Sequence, residues 1–108
     1  MMRGELVTIA IQGDFGEPRA ALVIQADLLN AHVTVTVLPV TSTLVDAPLI
    51  RILVQPSTEN GLPSPSQILV DKVMTVKRDI VRKTLDRIDA VAMVEVERCL
   101  AVFLGIAK

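Results

Sequence analysis

The chain has 108 residues, a formal net charge of −1 and 51% hydrophobic residues. This length is enough for one domain with a buried core and too short for two, so we expect a single domain over residues 1–108. Cys99 is the only cysteine, which excludes an intramolecular disulfide and the usual cysteine-based zinc sites. Because no apolar stretch is long enough to cross a bilayer and the first residues do not resemble a signal peptide, we expect a cytoplasmic protein without membrane association.

The first half of the chain predicts three β-strands. The hydrophobic residues are mostly Val, Leu, Ile and Ala, and branched aliphatic side chains favour pleated, half-buried surfaces. Residues 5–11 alternate at the strand period of two, residues 20–24 form a continuous apolar run, and residues 33–37 alternate Val and Thr. The apolar run is typical of a strand that is buried on both faces. Residues 12–18 contain two glycines and a proline and are predicted to form an exposed loop.

The second half predicts shorter strands that are joined by turns. Pro39 is expected to limit the ladder of the third strand, and Thr41 to open a loop. Residues 49–54 predict a fourth strand, in which Arg51 points opposite to its apolar neighbours. The stretch from 67 to 76 predicts a further strand or a bent pair of strands.

The end of the chain predicts a helix. Asp89 can cap a helix that begins at Ala90, because its carboxylate accepts hydrogen bonds from free backbone N–H groups, and Gly105 is a suitable stop. The apolar residues at helical spacing are Met93, Val96, Leu100, Phe103 and Leu104. Short strands followed by one closing helix predict a mainly β domain of the α+β class, in which the helix covers a small bent antiparallel sheet or barrel.

Basic residues crowd one stretch of the second half: Lys72, Lys77, Arg78, Arg82, Lys83 and Arg87. One interpretation is the solvated face of a short helix, and the other is a patch that faces RNA. The net charge of −1 argues against a nucleic-acid binder, since phosphate contacts need Lys and Arg, but the distribution of charge matters more than its sum. Both interpretations stay open at this point.

Seven segments, in this order and at these spacings, resemble the MazF/PemK family of toxins. They are residues 3–7 (RGELV), 16–25 (GEPRAALVIQ), 37–42 (VLPVTS), 59–62 (ENGL), 65–66 (PS), 70–76 (VDKVMTV) and 101–105 (AVFLG). The resemblance covers almost the whole chain. It implies a small SH3-like antiparallel barrel with a C-terminal α-helix and a homodimer. It also implies a type II toxin that cleaves single-stranded RNA at short motifs, with neither metal nor cofactor, and a cognate antitoxin whose acidic, partly disordered segment occupies the RNA groove.

The resemblance also implies the residues of the site. Catalysis falls on Arg19 and Thr41, which match the family's catalytic arginine and threonine. The substrate-binding residues implied are Gly16, Glu17, Pro18, Ser42, Thr43, Ser66 and Asp71. Taken alone, each of these has an ordinary structural explanation, such as a solvated charge or a turn hydroxyl. The family match is what selects them.

The expected chemistry is attack of the RNA 2′-OH on the adjacent phosphate, which leaves a 2′,3′-cyclic phosphate. An arginine fork gives charge-assisted bonds to phosphate, and a threonine hydroxyl can donate to a phosphoryl oxygen. His32 is the only histidine, but it precedes the third strand, away from both key loops, and is expected to be an exposed turn residue. Proton transfer is therefore assigned to Arg19 with help from Asp71 or water.

Two residues depart from the family pattern. Ala20 stands where the family usually has a proline, and Met74 stands where it usually has an arginine. These departures motivate one alternative, a degenerate toxin that binds an antitoxin without cleaving RNA. A second alternative is a toxin that resembles CcdB and binds gyrase without enzymatic activity, although the tail 104–108 lacks the aromatic end of that family.

Overall fold

The structure is a computed structural model that describes residues 1–10 and 18–107. Its strands are β1 (Glu5–Ala10), β2 (Pro18–Val23), β3 (Thr34–Thr41), β4 (Arg51–Val54), β5 (Ser66–Leu69), β6 (Met74–Lys77) and β7 (Val81–Arg87). The helix α1 spans Ala90–Phe103, and short 3₁₀ turns lie at Asp27–Leu29 and Arg78–Ile80. Within the described ranges, no helix has the length and apolar character needed to cross a membrane.

The seven strands form one antiparallel sheet. Its order is β4-β5-β3-β2-β1-β7, and β6 pairs with β3 beside β5. The predicted α+β class with a C-terminal helix is confirmed. Among the described residues β4 and β7 do not pair, so the sheet is not closed into a complete barrel.

The alternation of side chains along the strands builds two separate cores. In β1, Leu6 belongs to the first core, on the side of the sheet that α1 covers, and Val7 belongs to the second. The first core consists of Leu6, Leu22, Leu38, Val40, Val54, Leu62, Ile68, Val70, Ile88 and Val96. The second consists of Val7, Ile9, Ala21, Val23, Val35, Val37 and Val76. The continuous apolar run of β2 serves both cores, as its burial on two faces predicted.

Helix α1 begins as the sequence predicts. Oδ1 of Asp89 accepts a hydrogen bond from the backbone N–H of Ala92 at 2.7 Å, which satisfies one of the free donors of the first turn. Val96 is fully buried in the first core, with Met93 and Leu100 packed against it. Phe103 and Leu104, predicted to lie on the same apolar face, are exposed at the end of the helix, where Phe103 is the last helical residue and Leu104 is the C-cap.

Strand β3 is longer than predicted and passes through Pro39. On one edge it pairs first with β6, as far as Val37 opposite Met74, and then with β5, from Val40 opposite Ile68. Pro39 lies in the gap between these two pairings, where a missing backbone N–H costs no ladder bond on that edge. Thr41 is therefore the last residue of a strand, and the loop begins after it.

Strand β7 replaces the short helix that was one interpretation of the basic stretch. Its pairing with β1 shifts at two places, so Arg82 and Leu85 are extra residues without a partner on β1. Val81 and Leu85 are its half-buried positions, four residues apart. That spacing is the spacing of a helix face, and the two bulges produce it in a strand.

Candidate functional site

The two predicted catalytic residues, Arg19 and Thr41, lie at neighbouring ends of the paired strands β2 and β3. These strands pair Val23 with Val37, Leu22 with Leu38, and Ala21 with Pro39. Continuing the same register by two residues places Arg19 opposite Thr41, on the sheet face that carries Ala21. Arg19 is exposed and Thr41 is half-buried, so both can reach a ligand at this end of the sheet.

The Thr41 hydroxyl has a defined orientation. Its Oγ1 accepts a hydrogen bond from the backbone N–H of Thr43 at 3.1 Å. A hydroxyl has one donor hydrogen and two acceptor lone pairs, so this contact leaves the hydrogen available for another acceptor. The turn that the sequence predicted at residues 41–43 thus orients the side chain that the resemblance selects.

The loop that follows Thr41 is held by two side chains, which the sequence analysis did not assign to the site. Gln67, opposite Thr41 on β5, donates to the carbonyl of Val45 at 2.8 Å and accepts from its N–H at 3.1 Å. Arg51 Nη1 donates to Gln67 Oε1 at 3.1 Å and to the Thr43 carbonyl at 3.2 Å. The only sequence signal was the orientation of Arg51, opposite to its apolar neighbours on β4.

A groove of about 470 Å³ lies on the other face of the sheet, beside the same strand ends. Three predicted substrate-binding residues line it: Pro18, Ser42 and Ser66. The other lining residues are Thr8, Ala20, Val40, Gly61, Leu62, Pro63, Ser64 and Leu85. Successive residues of a strand point to opposite faces of the sheet. Pro18 and Ser42 therefore face the groove, while their neighbours Arg19 and Thr41 belong to the other face. The predicted set therefore occupies two surfaces that meet at one rim.

Two of the remaining predicted residues lie at different distances from this rim. Thr43 is exposed in the loop after Thr41. Asp71 follows β5 and forms an ion pair with Lys72 at 3.1 Å. It lies in the turn between β5 and β6, and these strands pair with Val40 and Val37, so Asp71 sits beside the part of β3 that leads up to Thr41. Gly16 and Glu17, also predicted to bind substrate, lie outside the described residues.

The ionisable residues that the sequence singled out are spread over both ends of the sheet. His32 is exposed and precedes β3, at the end opposite to Thr41, and its carbonyl accepts a hydrogen bond from Arg78 Nε at 2.7 Å. Lys83 lies opposite Thr8 on β1, so it belongs to the end that carries Arg19. Within residues 1–10 and 18–107, no group of three or more His, Cys, Asp or Glu is arranged to hold a metal ion.

Met74, which departs from the family pattern, packs against the second core from β6. It pairs with Val37, four residues before Thr41 on β3 and about 13 Å from it along the strand. The charge that is missing at position 74 is therefore distant from the Arg19–Thr41 end. Ala20, the other departure, lines the groove.

Known proteins resemble this chain in sequence and in fold. A family model described as "PemK-like, MazF-like toxin of type II toxin-antitoxin system" matches residues 2–104. A relative from Mycolicibacterium smegmatis, "Probable endoribonuclease MazF", is 43% identical over 108 residues, which cover 99% of each chain. A mycobacterial endoribonuclease in complex with its cognate antitoxin has a TM-score of 0.83 at 19% identity, covering 100% of this chain and 98% of that chain. The MazE-MazF complex (Form-II) of Deinococcus radiodurans has a TM-score of 0.79 at 25% identity, covering 99% and 97%.

The antiparallel sheet with a C-terminal helix and the family match over residues 2–104 define a toxin of the type II toxin–antitoxin class. The chain belongs to the PemK-like, MazF-like toxin family.

Proposed function

We propose that this toxin is an endoribonuclease that cleaves single-stranded RNA without a metal, by attack of the 2′-OH on the adjacent phosphate. The observation that carries the proposal is the β2–β3 register, which, extended two residues beyond the Ala21–Pro39 pair, sets Arg19 opposite Thr41, whose hydroxyl accepts from the loop. The 43% identical relative described as an endoribonuclease supports the activity. We place the reaction in the cytoplasm, where messenger RNA is available.

In this proposal Arg19 and Thr41 stabilise the charge that develops on the phosphoryl oxygens. A guanidinium stays protonated in proteins and presents a planar fork, which suits two parallel bonds to phosphate. The Thr41 hydroxyl supplies a preorganised neutral donor beside it. Because a guanidinium is a poor proton acceptor, we assign removal of the 2′-OH proton to water. As the 2′-oxygen bonds to phosphorus, the P–O5′ bond breaks, and the leaving 5′-oxygen takes a proton from water. Asp71 is already paired with Lys72, and we leave its carboxylate out of the step that we propose.

The groove on the opposite face is proposed to receive the nucleotides that flank the cleaved bond. Single-stranded RNA is recognised largely through splayed bases, and Pro18, Ser42 and Ser66 offer an apolar wall and polar atoms beside the rim. The Ser66 hydroxyl already donates to the Ser64 carbonyl at 3.0 Å, so its oxygen is oriented to accept. Lys83 supplies positive charge for the phosphate backbone at the same end.

An RNA cleavage assay in EDTA tests the proposed function. The purified protein is incubated with a long single-stranded RNA and, separately, with the same sequence in a duplex. We expect cleavage of the single strand alone at a short motif, with 2′,3′-cyclic phosphate on the upstream fragment. Intact RNA would contradict the proposal and favour a toxin that binds an antitoxin without cleaving. Inhibition of gyrase supercoiling in place of RNA cleavage would favour the CcdB-like alternative.

We also propose a homodimer and an antitoxin with an acidic, partly disordered segment. Exposed apolar side chains adjoin the site at Leu44, Val45 and Leu53, a surface that a partner can cover. The solved relatives described as complexes with an antitoxin support the second partner. Light scattering coupled to size exclusion is expected to give about twice the chain mass of 11.7 kDa for the toxin alone. A mass of one chain across micromolar concentrations would contradict the dimer.

A further inference from the structure

We infer that Gln67 and Arg51 are positioning residues, which hold the loop after Thr41 so that the Thr41 hydroxyl points its hydrogen at the substrate phosphate. The inference rests on the proposed function, because it assigns these side chains to the same reaction. It concerns residues that do not themselves contact the reacting atoms.

Gln67 acts as a clamp on the loop. Its side chain is almost fully buried, and both of its amide atoms are used on Val45, whose N–H donates at 3.1 Å and whose carbonyl accepts at 2.8 Å. The Gln67 amide thus pairs with the Val45 backbone as a residue of a neighbouring β-strand would, with one donated and one accepted hydrogen bond. A residue that served only the sheet could be apolar here, as its neighbours Ile68 and Leu69 are. The polar side chain serves the loop.

Arg51 extends the clamp towards Thr41. Its Nη1 donates to Gln67 Oε1 at 3.1 Å and to the Thr43 carbonyl at 3.2 Å, so a single guanidinium fixes both the clamp and the loop. Thr43 in turn donates its backbone N–H to Thr41 Oγ1 at 3.1 Å. A continuous chain of hydrogen bonds therefore runs from Gln67 and Arg51 through the loop to the hydroxyl.

The chain of bonds explains why the hydroxyl acts as a donor. As long as the Thr43 N–H occupies one lone pair of Thr41 Oγ1, the hydroxyl hydrogen cannot point at that N–H and is available to another acceptor. Release of the loop frees the hydroxyl to rotate. Small misplacements of a catalytic group cost up to about a hundredfold in rate. Loss of the clamp is therefore expected to lower kcat more than it raises KM.

A double-mutant cycle tests the inference. Gln67→Leu is expected to lower kcat by roughly 10- to 100-fold with a smaller change in KM. In a Thr41→Val background, which has no hydroxyl to orient, the same substitution is expected to lower kcat by less than about threefold, since the two residues act as a unit. Equal losses in both backgrounds would overturn the inference.

Arg51→Lys, which keeps one donor, is expected to retain more activity than Arg51→Leu. Equal loss of activity in the two variants would overturn the role of Arg51.

Gln25 offers a matched control. It is also a glutamine that bonds to backbone on two sides, accepting from the Thr36 N–H at 2.9 Å and donating to the Leu29 carbonyl at 3.2 Å, at the far end of β3. Gln25→Leu removes two comparable bonds and is expected to leave kcat within about twofold. A loss as large as that of Gln67→Leu would mean that any lost clamp lowers activity through general stability, and would overturn the inference.

A second measurement separates this inference from the proposed function. Amide hydrogen exchange at Thr43 and Val45 reports the clamp whether or not RNA is cleaved. In Gln67→Leu, exchange at these two amides is expected to rise by about tenfold or more while the amides of β2 keep their protection. Unchanged exchange would overturn the inference even if the wild-type protein cleaves RNA. Absence of cleavage by the wild-type protein would contradict the proposed function instead.

Discussion

Arg19→Ala is expected to lower the rate of RNA cleavage by at least about a hundredfold, with little change in folding stability. Removal of one preorganised donor at a site of developing charge costs about 10² to 10³ in kcat, and Arg19 supplies a formal charge as well. Its side chain is exposed, so truncation leaves no cavity in either core. The measurement is the single-turnover cleavage rate with saturating RNA, together with a thermal unfolding curve.

Two further variants test whether the loss of activity comes from the guanidinium of Arg19 itself. Arg19→Lys keeps the charge but replaces the planar fork by a point charge, so we expect partial activity between the wild-type and alanine rates. Arg98→Ala is the matched control, because Arg98 is an exposed arginine on α1 that bonds to Glu95 at 2.5 Å, away from the site. Wild-type activity in Arg19→Ala, or an equal loss in Arg98→Ala, would refute the role given to Arg19.

Leu38→Ala is expected to lower the free energy of unfolding by about 2 to 5 kcal/mol. Leu38 is fully buried in the first core, on the strand that pairs with β2, β5 and β6, so surrounding side chains cannot easily collapse into the space. Denaturant unfolding at 25 °C measures the change. Leu28→Ala provides the control, since Leu28 is 85% exposed and its truncation is expected to change the free energy by no more than about 0.5 kcal/mol. A similar cost at both positions would show that the core is not where the structure places it.

The pattern of apolar residues along the sequence was sufficient to predict three strands and the helix. The strands at 5–11 and 33–37 and the helix from Ala90 were predicted from apolar residues spaced by two or 3.6, and the strand at 20–24 from its continuous apolar run. Strand β7 was not predicted, since its two bulges give half-buried residues a spacing of four. The extension of β3 through Pro39 was also missed. It depends on a change of partner from β6 to β5, which is a property of the assembled sheet.

Some residues of the candidate site were predicted from the sequence, and others were not. Arg19 and Thr41 were selected through the family resemblance, and the pairing of β2 with β3 puts these residues, 22 positions apart, at the same end of the sheet. Gln67 and Arg51 could not be found from the sequence, because their role is defined by contacts with a loop that is distant along the chain. The role of Asp71 was also taken from the family resemblance, and it stays a prediction.

The open sheet has a consequence for solubility. An unpaired strand edge is a template on which further chains can add, and proteins avoid this with charges and irregular backbone. In the described part of the chain β7 pairs only with β1, and it carries Arg82, Lys83 and Arg87 together with its two bulges. Those features break the even row of donors and acceptors that a second strand would need. The same irregularities that disguised this strand in the sequence therefore protect the folded protein from edge-to-edge aggregation.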